Sequence, residues 1–583
     1  MIYDCTDALP YERILSIDFE FYGADGENPT VVCLVVKDIK SGLTQRYWQT
    51  ELLRMREAPF DIGPNTLVLA YFASAEMQCF KTLKWEMPQN LIDPFAEFRR
   101  LTNGAEPPYG NGLVGALKYF GLDHFVPDAK EKMRALILEG GPWTDFEQEN
   151  ILDYCEEDVI GQEALFEALL EHEKWSFNLL GQALMRGRFM CAIATMQYNG
   201  IPIDQNTLSR LKDDWPNLKA KLIEGVDIDF GVFEGGSFKE ARFDNFLFEH
   251  NIAWPRLESG RLKLDSDTFK DMSRRDPRVR PLRELRATLS DLKLNKSAVG
   301  SDGRNRTLLS PFKSKTGRNQ PSTSRYIFGP SKWIRGLIKP TKGSALAYLD
   351  WGSQEIAIAA ALSGDELLWN AYASGDPYIS FAIQAGLAPL GATKNSHKVI
   401  RDRCKQVVLG VNYGMSAHGV AIAAGIHVIE AQDLLQKHRE TYVKFWAWAD
   451  QNKERGLLGL PLETCFGWRI QATVGKVKAN SFLNFPMQSH GAEMLRIASC
   501  LAIQQGLKLC APIHDALLIE APISQIDADV AQLKHCMSEA SEAVLGDGKI
   551  CKVDEEIVRF PDRYMDEHGQ EMWDQIMGLL AQT

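Results

Sequence analysis

Two apolar, β-prone runs, each ending in an acid, constrain this chain more than any other feature. ALAYLDWGSQE (residues 345–355) has a front half apolar enough to be a buried strand, which ends at Asp350. LKLCAPIHDALLIE (residues 507–520) places two such runs around a His514-Asp515 step, typical of a hairpin with an acid at its tip. Carboxylates on neighbouring strand ends can hold two Mg²⁺ ions about 3.5–4 Å apart for in-line attack at phosphorus. Either Asp alone is more readily explained as an ordinary turn residue.

The segment between these runs, RDRCKQVVLGVNYGMS, decides the interpretation. Arg401, Lys405, Leu409 and Tyr413 follow one another at i,i+4 spacing and so share one slowly drifting helix face. Two cations and an aromatic ring on one face suit a triphosphate with a base stacked beyond it. Alone, the segment is equally a solvated basic face; the order of all three elements favours a nucleotide site.

These elements resemble the motifs of the family A DNA polymerases, those like bacterial DNA polymerase I. LDWGSQE resembles motif A, R-x3-K-x7-YG motif B and IHDA motif C, and the resemblance extends over nearly the whole chain. It implies a right-hand palm, fingers and thumb, with two Mg²⁺ ions on Asp350 and Asp515 and Mn²⁺ as a substitute. It also implies nucleotide contacts, with Arg401 and Lys405 on the phosphates and Tyr413 beside the templating base. The remaining residues implied at the nucleotide are Leu409, His514 and Glu355, the last as the gate against a ribose 2′-hydroxyl.

The same resemblance implies DNA contacts and shows two departures. In KTGRN, Arg318 would reach the minor groove at the primer end, and Asn484 and Gln488, one helical turn apart, would contact the minor groove and template. Position 409 is Leu where the family carries an aromatic ring, and Ala516 follows Asp515 where an acid is usual. We expect Asp350 and Asp515 to suffice for metal binding.

The N-terminal third contains a second group of acids. ILSIDFEF is a strand by alternation, so Asp18 and Glu20 project from the same face. Two such carboxylates repel one another unless a cation lies between them, although an exposed strand face explains them equally well. In DYCEEDV, Tyr154 and Asp158 lie one helical turn apart, so the hydroxyl is placed to orient a water while the acid completes a metal site.

This D-x-E and Y-x3-D pattern resembles the 3′–5′ proofreading exonucleases of the DEDD type. The resemblance implies an RNase H-like fold and two metal ions, held by Asp18, Glu20 and Asp158. The middle acid is predicted as Glu76, in LAYFASAEMQCF, where the family usually has Asp, with Asp93 as a helper.

Composition agrees with a soluble multidomain protein. The 583 residues are 45% hydrophobic and 24% charged, and the net charge of −12 argues against wholesale coating by nucleic acid. A polymerase needs only local basic surfaces, and one is predicted in residues 304–342, which are rich in Lys and Arg. Eleven scattered cysteines indicate a reduced cytosol, and no signal peptide or membrane-length apolar run is evident.

The sequence therefore predicts a multidomain α/β (α+β) enzyme, a DNA polymerase with a 3′–5′ exonuclease. The predicted domains are an exonuclease (1–185), a thumb with connecting helices (186–300), a first part of the palm (301–365), fingers (366–474) and a second part of the palm (475–583). Only seventeen residues precede Asp18, so we expect no 5′-nuclease and a compact, phage-encoded enzyme in the host cytoplasm. Expected partners are primer-template DNA, deoxynucleoside triphosphates, single-stranded 3′ ends and a helicase, primase or processivity factor, but no membrane.

Three alternatives remain at this point. A single-subunit RNA polymerase shares the palm and its two acids, but Glu355 and the exonuclease-like third argue against it. A non-catalytic DNA-binding relative with a decayed site is opposed by the intact Asp350, Lys405 and Asp515. The third alternative is an exonuclease whose C-terminal half only positions DNA.

Overall fold

A five-stranded sheet near the N-terminus and a four-stranded sheet near the C-terminus organise the chain. The computed structural model describes residues 2–105, 107–122, 127–291, 297–329, 331–472 and 478–582. Between and around the sheets lie helices, so the architecture is mixed α/β, as predicted.

The N-terminal sheet has the order β4-β3-β2-β5-β6, which places β2 at its centre. Its strands, with the short pair β1 and β7, are β1 (Ile2–Tyr3), β2 (Arg13–Tyr22), β3 (Thr30–Asp38), β4 (Thr44–Trp48), β5 (Thr66–Leu69), β6 (Leu91–Ile92) and β7 (Trp175–Ser176). Strands β2, β3 and β4 are antiparallel neighbours, whereas β5 and β6 run parallel to β2. β2 is buried over most of its length, which is typical of a central strand covered on both sides. One face carries Leu15, Ile17 and Phe19, and the other carries Ser16, Asp18 and Glu20.

Helices cover this sheet on both faces. They are α1 (Gln49–Leu52), α2 (Ser74–Leu83), α3 (Pro94–Thr102), α4 (Leu113–Tyr119), α5 (Pro127–Glu139), α6 (Asp145–Glu173) and α7 (Phe177–Asn199). α6 begins at a capping box formed by Thr144 and Glu147. It is fixed to β2 by side chains, since Ser16 donates to Val159 O at 2.9 Å and Gln162 donates to Ile17 O at 3.1 Å.

α7 joins the N-terminal third to the rest of the chain. Arg186 of α7 is buried, donates to both carboxylate oxygens of Glu97 at 2.6 and 2.8 Å, and donates to Phe466 O at 2.9 Å. At the end of α7, Asn199 donates to Leu509 O at 2.7 Å. The predicted domain boundary at 185 thus falls inside a continuous helix.

The middle of the chain is mainly helical, as its charged, periodic sequence predicts. Its elements are β8 (Ile201–Pro202), α8 (Gln205–Asp213), α9 (Trp215–Asp227), β9 (Phe233–Glu234), β10 (Ser237–Phe238), α10 (Glu240–Glu249), α11 (Ser266–Arg275), α12 (Arg280–Asp291) and β11 (Arg304–Asn305). The predicted thumb helix LRELRATLSDLKLNKS corresponds to α12, and residues 292–296 of that prediction lie outside the described residues.

The C-terminal sheet is antiparallel throughout and has the order β15-β16-β12-β17. The strands of this part are β12 (Ser344–Trp351), β13 (Leu462–Glu463), β14 (Arg469–Ile470), β15 (Leu509–Ile513), β16 (Ala516–Pro522) and β17 (Val553–Arg559). Ile513 pairs with Ala516, so His514 and Asp515 form the turn of the predicted hairpin, with His514 at φ 55°. The strand before Asp350 and the hairpin with an acid at its tip are both confirmed.

Ten helices of the described residues accompany this sheet. They are α13 (Gln354–Ser363), α14 (Glu366–Ala373), α15 (Pro377–Gln384), α16 (Lys398–Asn412), α17 (Ala417–Ala424), α18 (Val428–Thr441), α19 (Val443–Leu457), α20 (Ala479–Gln504), α21 (Ile526–Leu545) and α22 (Gln570–Leu580). A break at residues 374–376 separates α14 from α15, and residues 385–397 are not helical. The predicted boundary between 474 and 475 lies outside the described residues. Among the helices of the described segments, none combines the length and the apolar character needed to cross a bilayer.

Candidate active sites

The two acids of the C-terminal sheet meet at one end of it. Asp350 is the penultimate residue of β12 and pairs directly with Ala516, the first residue of β16, so Asp515 lies one residue before its neighbour. The Trp351 N–H donates to Asp515 O at 3.3 Å, which ties the hairpin turn to the end of β12. Local strand and turn formation thus brings together residues more than 160 positions apart in the chain.

The electrostatics of this pair are those of a cation site. Burial and the charges of Asp515 and Asp554 raise the pKa of Asp350 to about 7. Within the described residues, no donor reaches the buried Oδ1 of Asp350. Carboxylate oxygens are the ligands that Mg²⁺ prefers, and a half-buried carboxylate with an unpartnered oxygen beside another acid is the environment that a divalent ion would relieve. The residues present therefore fit a Mg²⁺ site.

The predicted cationic face lies on α16, but one of its two cations, Arg401, is already paired with an acid. Arg401 and Lys405 lie on this helix and over the ring of Tyr378, 5.2 and 5.8 Å from its centroid. Arg401 also forms an ion pair with Asp376 at 2.6 Å, so its charge is already partly neutralised. Asp376 and Tyr378 come from the break between α14 and α15, whose proximity to α16 could not be read from the sequence.

Four predicted site residues form one connected group: Glu355, Tyr413, Arg318 and Gln488. Tyr413 lies just past the end of α16 and its hydroxyl donates to Glu355 Oε1 at 3.0 Å. Arg318 Nη1 lies 3.9 Å from the same oxygen, and Gln488 makes a side-chain hydrogen bond with Tyr413. Burial raises the pKa of Glu355, while Arg318 and the Tyr413 hydrogen bond oppose that effect.

α20 holds Arg318 in place. Arg496 of this helix donates to Gly317 O at 2.9 Å. A Cβ at Gly491 would lie 2.5 Å from Gln354 Oε1 and 3.3 Å from Arg318 Nη2, so a larger residue there would displace the ends of these two side chains.

Three further predicted residues of this region are Leu409, His514 and Asn484. Leu409 lies on α16 and is partly exposed, and His514 is exposed in the hairpin turn. Asn484 donates to Asn412 O at 3.2 Å, so its amide holds the end of α16. This contact does not use the side-chain oxygen of Asn484.

Comparison with known proteins agrees with this geometry. A family model described as DNA polymerase family A matches residues 301–552, which contain the acids, α16 and the Arg318 group. This region is similar to DNA polymerase family A. The matched segment contains six of the predicted site residues: Arg318, Asp350, Glu355, Arg401, Lys405 and Asp515.

Curated relatives and a solved structure support the assignment. The chain is similar to the thermostable DNA polymerase I of Thermus thermophilus, at 29% identity over 220 residues, 36% of this chain and 26% of that protein. It is also similar to DNA polymerase I of Chloroflexus aurantiacus, at 25% identity over 379 residues, 59% of this chain and 40% of that protein. The matches thus span about a quarter to two fifths of these relatives.

The fold has a counterpart of nearly the same extent. The structure described as "POL domain of Pol1 from M. smegmatis complex with DNA primer-template and dNTP" aligns with a TM-score of 0.71 and 18% identity, covering 94% of this chain and 95% of that one. At this identity the similarity establishes the fold.

Outside the segment that matches the family model, residues 301–552, the five predicted N-terminal site residues converge. Asp18 and Glu20 lie on β2, Glu76 on α2, and Tyr154 and Asp158 on α6. The Phe19 N–H donates to Glu76 Oε2 at 2.7 Å, which fixes this acid against β2. Asp18 is 9% exposed and Glu76 4% exposed, so these acids lie almost entirely away from water.

The N-terminal acids raise one another's pKa values. Burial is the largest cause for Asp18, followed by the charges of Glu20 and Asp158; for Glu76, burial is followed by the charge of Asp18. Burial also raises the pKa of Glu20. Such a group of oxygen ligands, in which ionisation is unfavourable without a cation, fits divalent metal ions.

Two neighbours of this site were not anticipated. Lys130 of α5 forms an ion pair with Asp158 at 2.5 Å and lies 5.6 Å from the centroid of the Tyr154 ring. The Cys155 thiol donates to Asp18 O and Oδ2, at 3.2 and 3.4 Å, and its sulphur lies with the ligand atoms of Asp18 and Glu20. Cys155 adjoins Tyr154 in the motif, but only the packing of α6 on β2 reveals its direction.

Asp93, predicted as a helper, has a structural explanation. It is the N-cap of α3, and its carboxylate accepts from the N–H groups of Phe72, Ala73 and Phe95 at 2.9, 3.0 and 2.8 Å. Burial raises its pKa to about 7 despite these hydrogen bonds. These contacts account for Asp93 as a residue that fixes the start of α3.

Several arginines of the predicted basic stretch, residues 304–342, are paired with acids of the protein. Four of its arginines form ion pairs within the protein, and two of these arginines are nearly buried. The pairs are Arg304 with Glu520 at 2.6 Å, Arg306 with Asp302 at 2.6 Å, Arg325 with Asp25 at 2.6 Å and Arg335 with Asp566 at 2.7 Å. The acids that neutralise three of them are remote in sequence and could not be anticipated.

Proposed function

We propose that this chain is a DNA-dependent DNA polymerase with an attached 3′–5′ exonuclease. The observation that supports the polymerase activity most directly is the convergence of Asp350 and Asp515 at one end of an antiparallel sheet, inside the segment that matches DNA polymerase family A. The substrates would be primer-template DNA and deoxynucleoside triphosphates.

In this proposal Asp350 and Asp515 hold two divalent ions, generally Mg²⁺ in this family, with Mn²⁺ as a substitute. The ions would supply acidification of the primer 3′-hydroxyl and neutralisation of charge on the leaving pyrophosphate. Lys405 and Arg401 steady the triphosphate from α16 as charge moves to the leaving group. Because Arg401 is paired with Asp376, a phosphate must compete with that carboxylate for the guanidinium.

The Glu355 group would set substrate choice. The Glu355 carboxylate, fixed by the Tyr413 hydroxyl and near Arg318, would fill the space that a ribose 2′-hydroxyl needs. Arg318 would test the minor groove of the primer end, where acceptor positions are similar for all correct pairs. Sharing one network would let these residues couple sugar selection to the position of the primer end.

The exonuclease proposal rests on the convergence of Asp18, Glu20, Glu76 and Asp158. A mixed sheet with acids on its central strand and on the helix packed against it supports an RNase H-like fold of the DEDD type. Two further divalent ions would activate a water for attack on the terminal phosphodiester of a single-stranded 3′ end. Tyr154, next to Asp158, is placed to orient that water.

Primer extension tests the polymerase activity and separates it from the alternatives. We expect the parent protein to extend a labelled primer with deoxynucleotides in preference to ribonucleotides. Asp515→Asn should reduce extension at least about a hundredfold while leaving primer-template affinity nearly unchanged, because affinity depends on phosphate contacts elsewhere. Asp527→Asn, which changes an exposed acid on α21, is the matched control.

Extension by Asp515→Asn at more than a few per cent of the parental rate would refute the assigned metal site. Ribonucleotide preference in the parent would favour the RNA polymerase alternative. Absence of any extension would leave an exonuclease or a non-catalytic DNA-binding protein.

Degradation of a 3′-labelled, single-stranded oligonucleotide tests the exonuclease. Asp18→Ala should abolish degradation without slowing extension of a matched primer, because the two acid groups lie on separate sheets. Asp153→Asn is the matched control, since Asp153 lies on α6 but is exposed and pairs with Arg46 at 2.9 Å. Degradation by Asp18→Ala at the parental rate would contradict the proposal.

A further inference from the structure

A third acid lies in the same row of the C-terminal sheet as Asp350. Asp350 pairs with Ala516 on one side and with Asp554 of β17 on the other. Residues directly opposite one another on antiparallel strands share a face, with Cβ atoms about 4.5–5.5 Å apart. Asp350 is therefore flanked on one side by Ala516, which is not an acid, and on the other side by Asp554, at a comparable distance.

The contacts of Asp554 place its carboxylate at this end of the sheet. A Cβ on Gly352 would lie 3.0 Å from Asp554 Oδ2, so this oxygen overlies the backbone two residues beyond Asp350. The other oxygen, Oδ1, pairs with Lys552 Nζ at 2.6 Å. The Asp554 and Lys552 side chains are 58% and 69% exposed, and such exposed pairs contribute little to stability. The carboxylate can therefore exchange Lys552 for another cation at little cost.

The surroundings of Asp554 leave room for a ligand. Asp554 and Lys552 line a cleft with Gly352, Ser353 and Pro377, between the start of β17 and the loop that precedes α15. Asp554 lies two residues beyond the segment that matches the family.

We propose that Asp554 is a third carboxylate of the Asp350–Asp515 metal site, binding the ion directly or through water. β17 would supply it on the side of Asp350 opposite to Ala516. The role is that of a metal-positioning residue, and it rests on the proposed polymerase function.

Mn²⁺ binding, measured by electron paramagnetic resonance on the full chain without nucleotide, tests the proposal. All proteins would carry Asp18→Ala, so that the N-terminal acids do not dominate the signal. Asp554→Asn should weaken Mn²⁺ binding at the remaining site about tenfold. The Mg²⁺ concentration for half-maximal primer extension should rise by a similar factor, with unchanged primer-template affinity.

Two variants control this measurement. Asp554→Glu keeps a carboxylate and should retain most of the Mn²⁺ affinity. Glu555→Gln changes a neighbouring acid of β17 that points to the opposite face and pairs with Lys534, so its Mn²⁺ affinity should equal the parental value.

Mn²⁺ affinity of Asp554→Asn within twofold of the parent would overturn the proposal, as would an equal loss in Glu555→Gln. These outcomes are distinct from failure of the proposed function. In that case the parent would not extend primers at any Mg²⁺ concentration, whatever the effect of Asp554→Asn on Mn²⁺ binding.

Discussion

Removing the charge of Asp350 should stabilise the metal-free protein while abolishing polymerase activity. A shift of a carboxyl pKa from the ordinary 3.8 to about 7 is equivalent to about 4 kcal/mol of unfavourable ionisation. Asp350 is only partly buried, so screening by water reduces this to about 2 kcal/mol. Asp350→Asn should therefore raise the Tm of the metal-free polymerase part by roughly 4 °C above neutral pH.

The dependence on pH identifies the cause. The folded protein holds the Asp350 proton to a higher pH than the unfolded chain does, so the unfolded state binds fewer protons between about pH 4 and pH 7. Stability consequently falls as the pH rises through that window, and the full cost is present above it. Asp350→Asn removes this contribution, and the difference in Tm between variant and parent should grow from pH 5 to pH 8.

Thermal unfolding in EDTA, followed by calorimetry at several pH values, measures this difference. Mg²⁺ should stabilise the parent more than Asp350→Asn, because the ion binds the folded site. Asp527→Asn, at an exposed position, should follow the parental curve at every pH. Parallel curves of Tm against pH for Asp350→Asn and the parent would refute the reasoning.

Three substitutions in the nucleotide site have measurable consequences. Glu355→Ala should raise kcat/KM for ribonucleotides relative to deoxynucleotides. Tyr413→Phe should raise this ratio less, because it removes the 3.0 Å hydrogen bond but keeps the carboxylate. An unchanged ratio in Glu355→Ala would mean that this residue is not the gate. The parent should discriminate against dideoxynucleotides by at least roughly tenfold, since Leu409 cannot replace the missing 3′-hydroxyl in a hydrogen bond worth about 1–3 kcal/mol. Leu409→Tyr should reduce that discrimination, and an unchanged ratio would contradict the position assigned to α16.

Features set by local sequence were predictable. The strand before Asp350 and the two-residue turn at Asp515 follow from short apolar runs interrupted by polar residues. The helix that carries Arg401 and Lys405 follows from spacing, and α6 brings Tyr154 and Asp158 to the same side for the same reason. In each case the determining residues lie within a few positions of one another, so no tertiary information was needed.

Features set by pairing between distant segments were not predictable. Nothing in the sequence of β17 indicates that Asp554 pairs with Asp350, because strand order and register are tertiary properties. The same holds for the ion pair of Arg401 with Asp376 and for the contact of Lys130 with Asp158. It also holds for the basic stretch, because the acids that pair with Arg304, Arg325 and Arg335 are remote in sequence.

The two groups of acids differ in the cations that the fold places beside them. At the N-terminal site Lys130 pairs with Asp158 and lowers the cost of gathering four carboxylates, so an incoming ion must displace an ammonium group already in place. At the C-terminal site Asp350 has an unpartnered oxygen among the described residues, and Lys552 contacts Asp554 instead. Burial and neighbouring carboxylates raise pKa values at both sites, so each site carries unfavourable charge when no metal ion is bound. Part of that energy is recovered when an ion binds, which couples the stability of both sheets to metal occupancy.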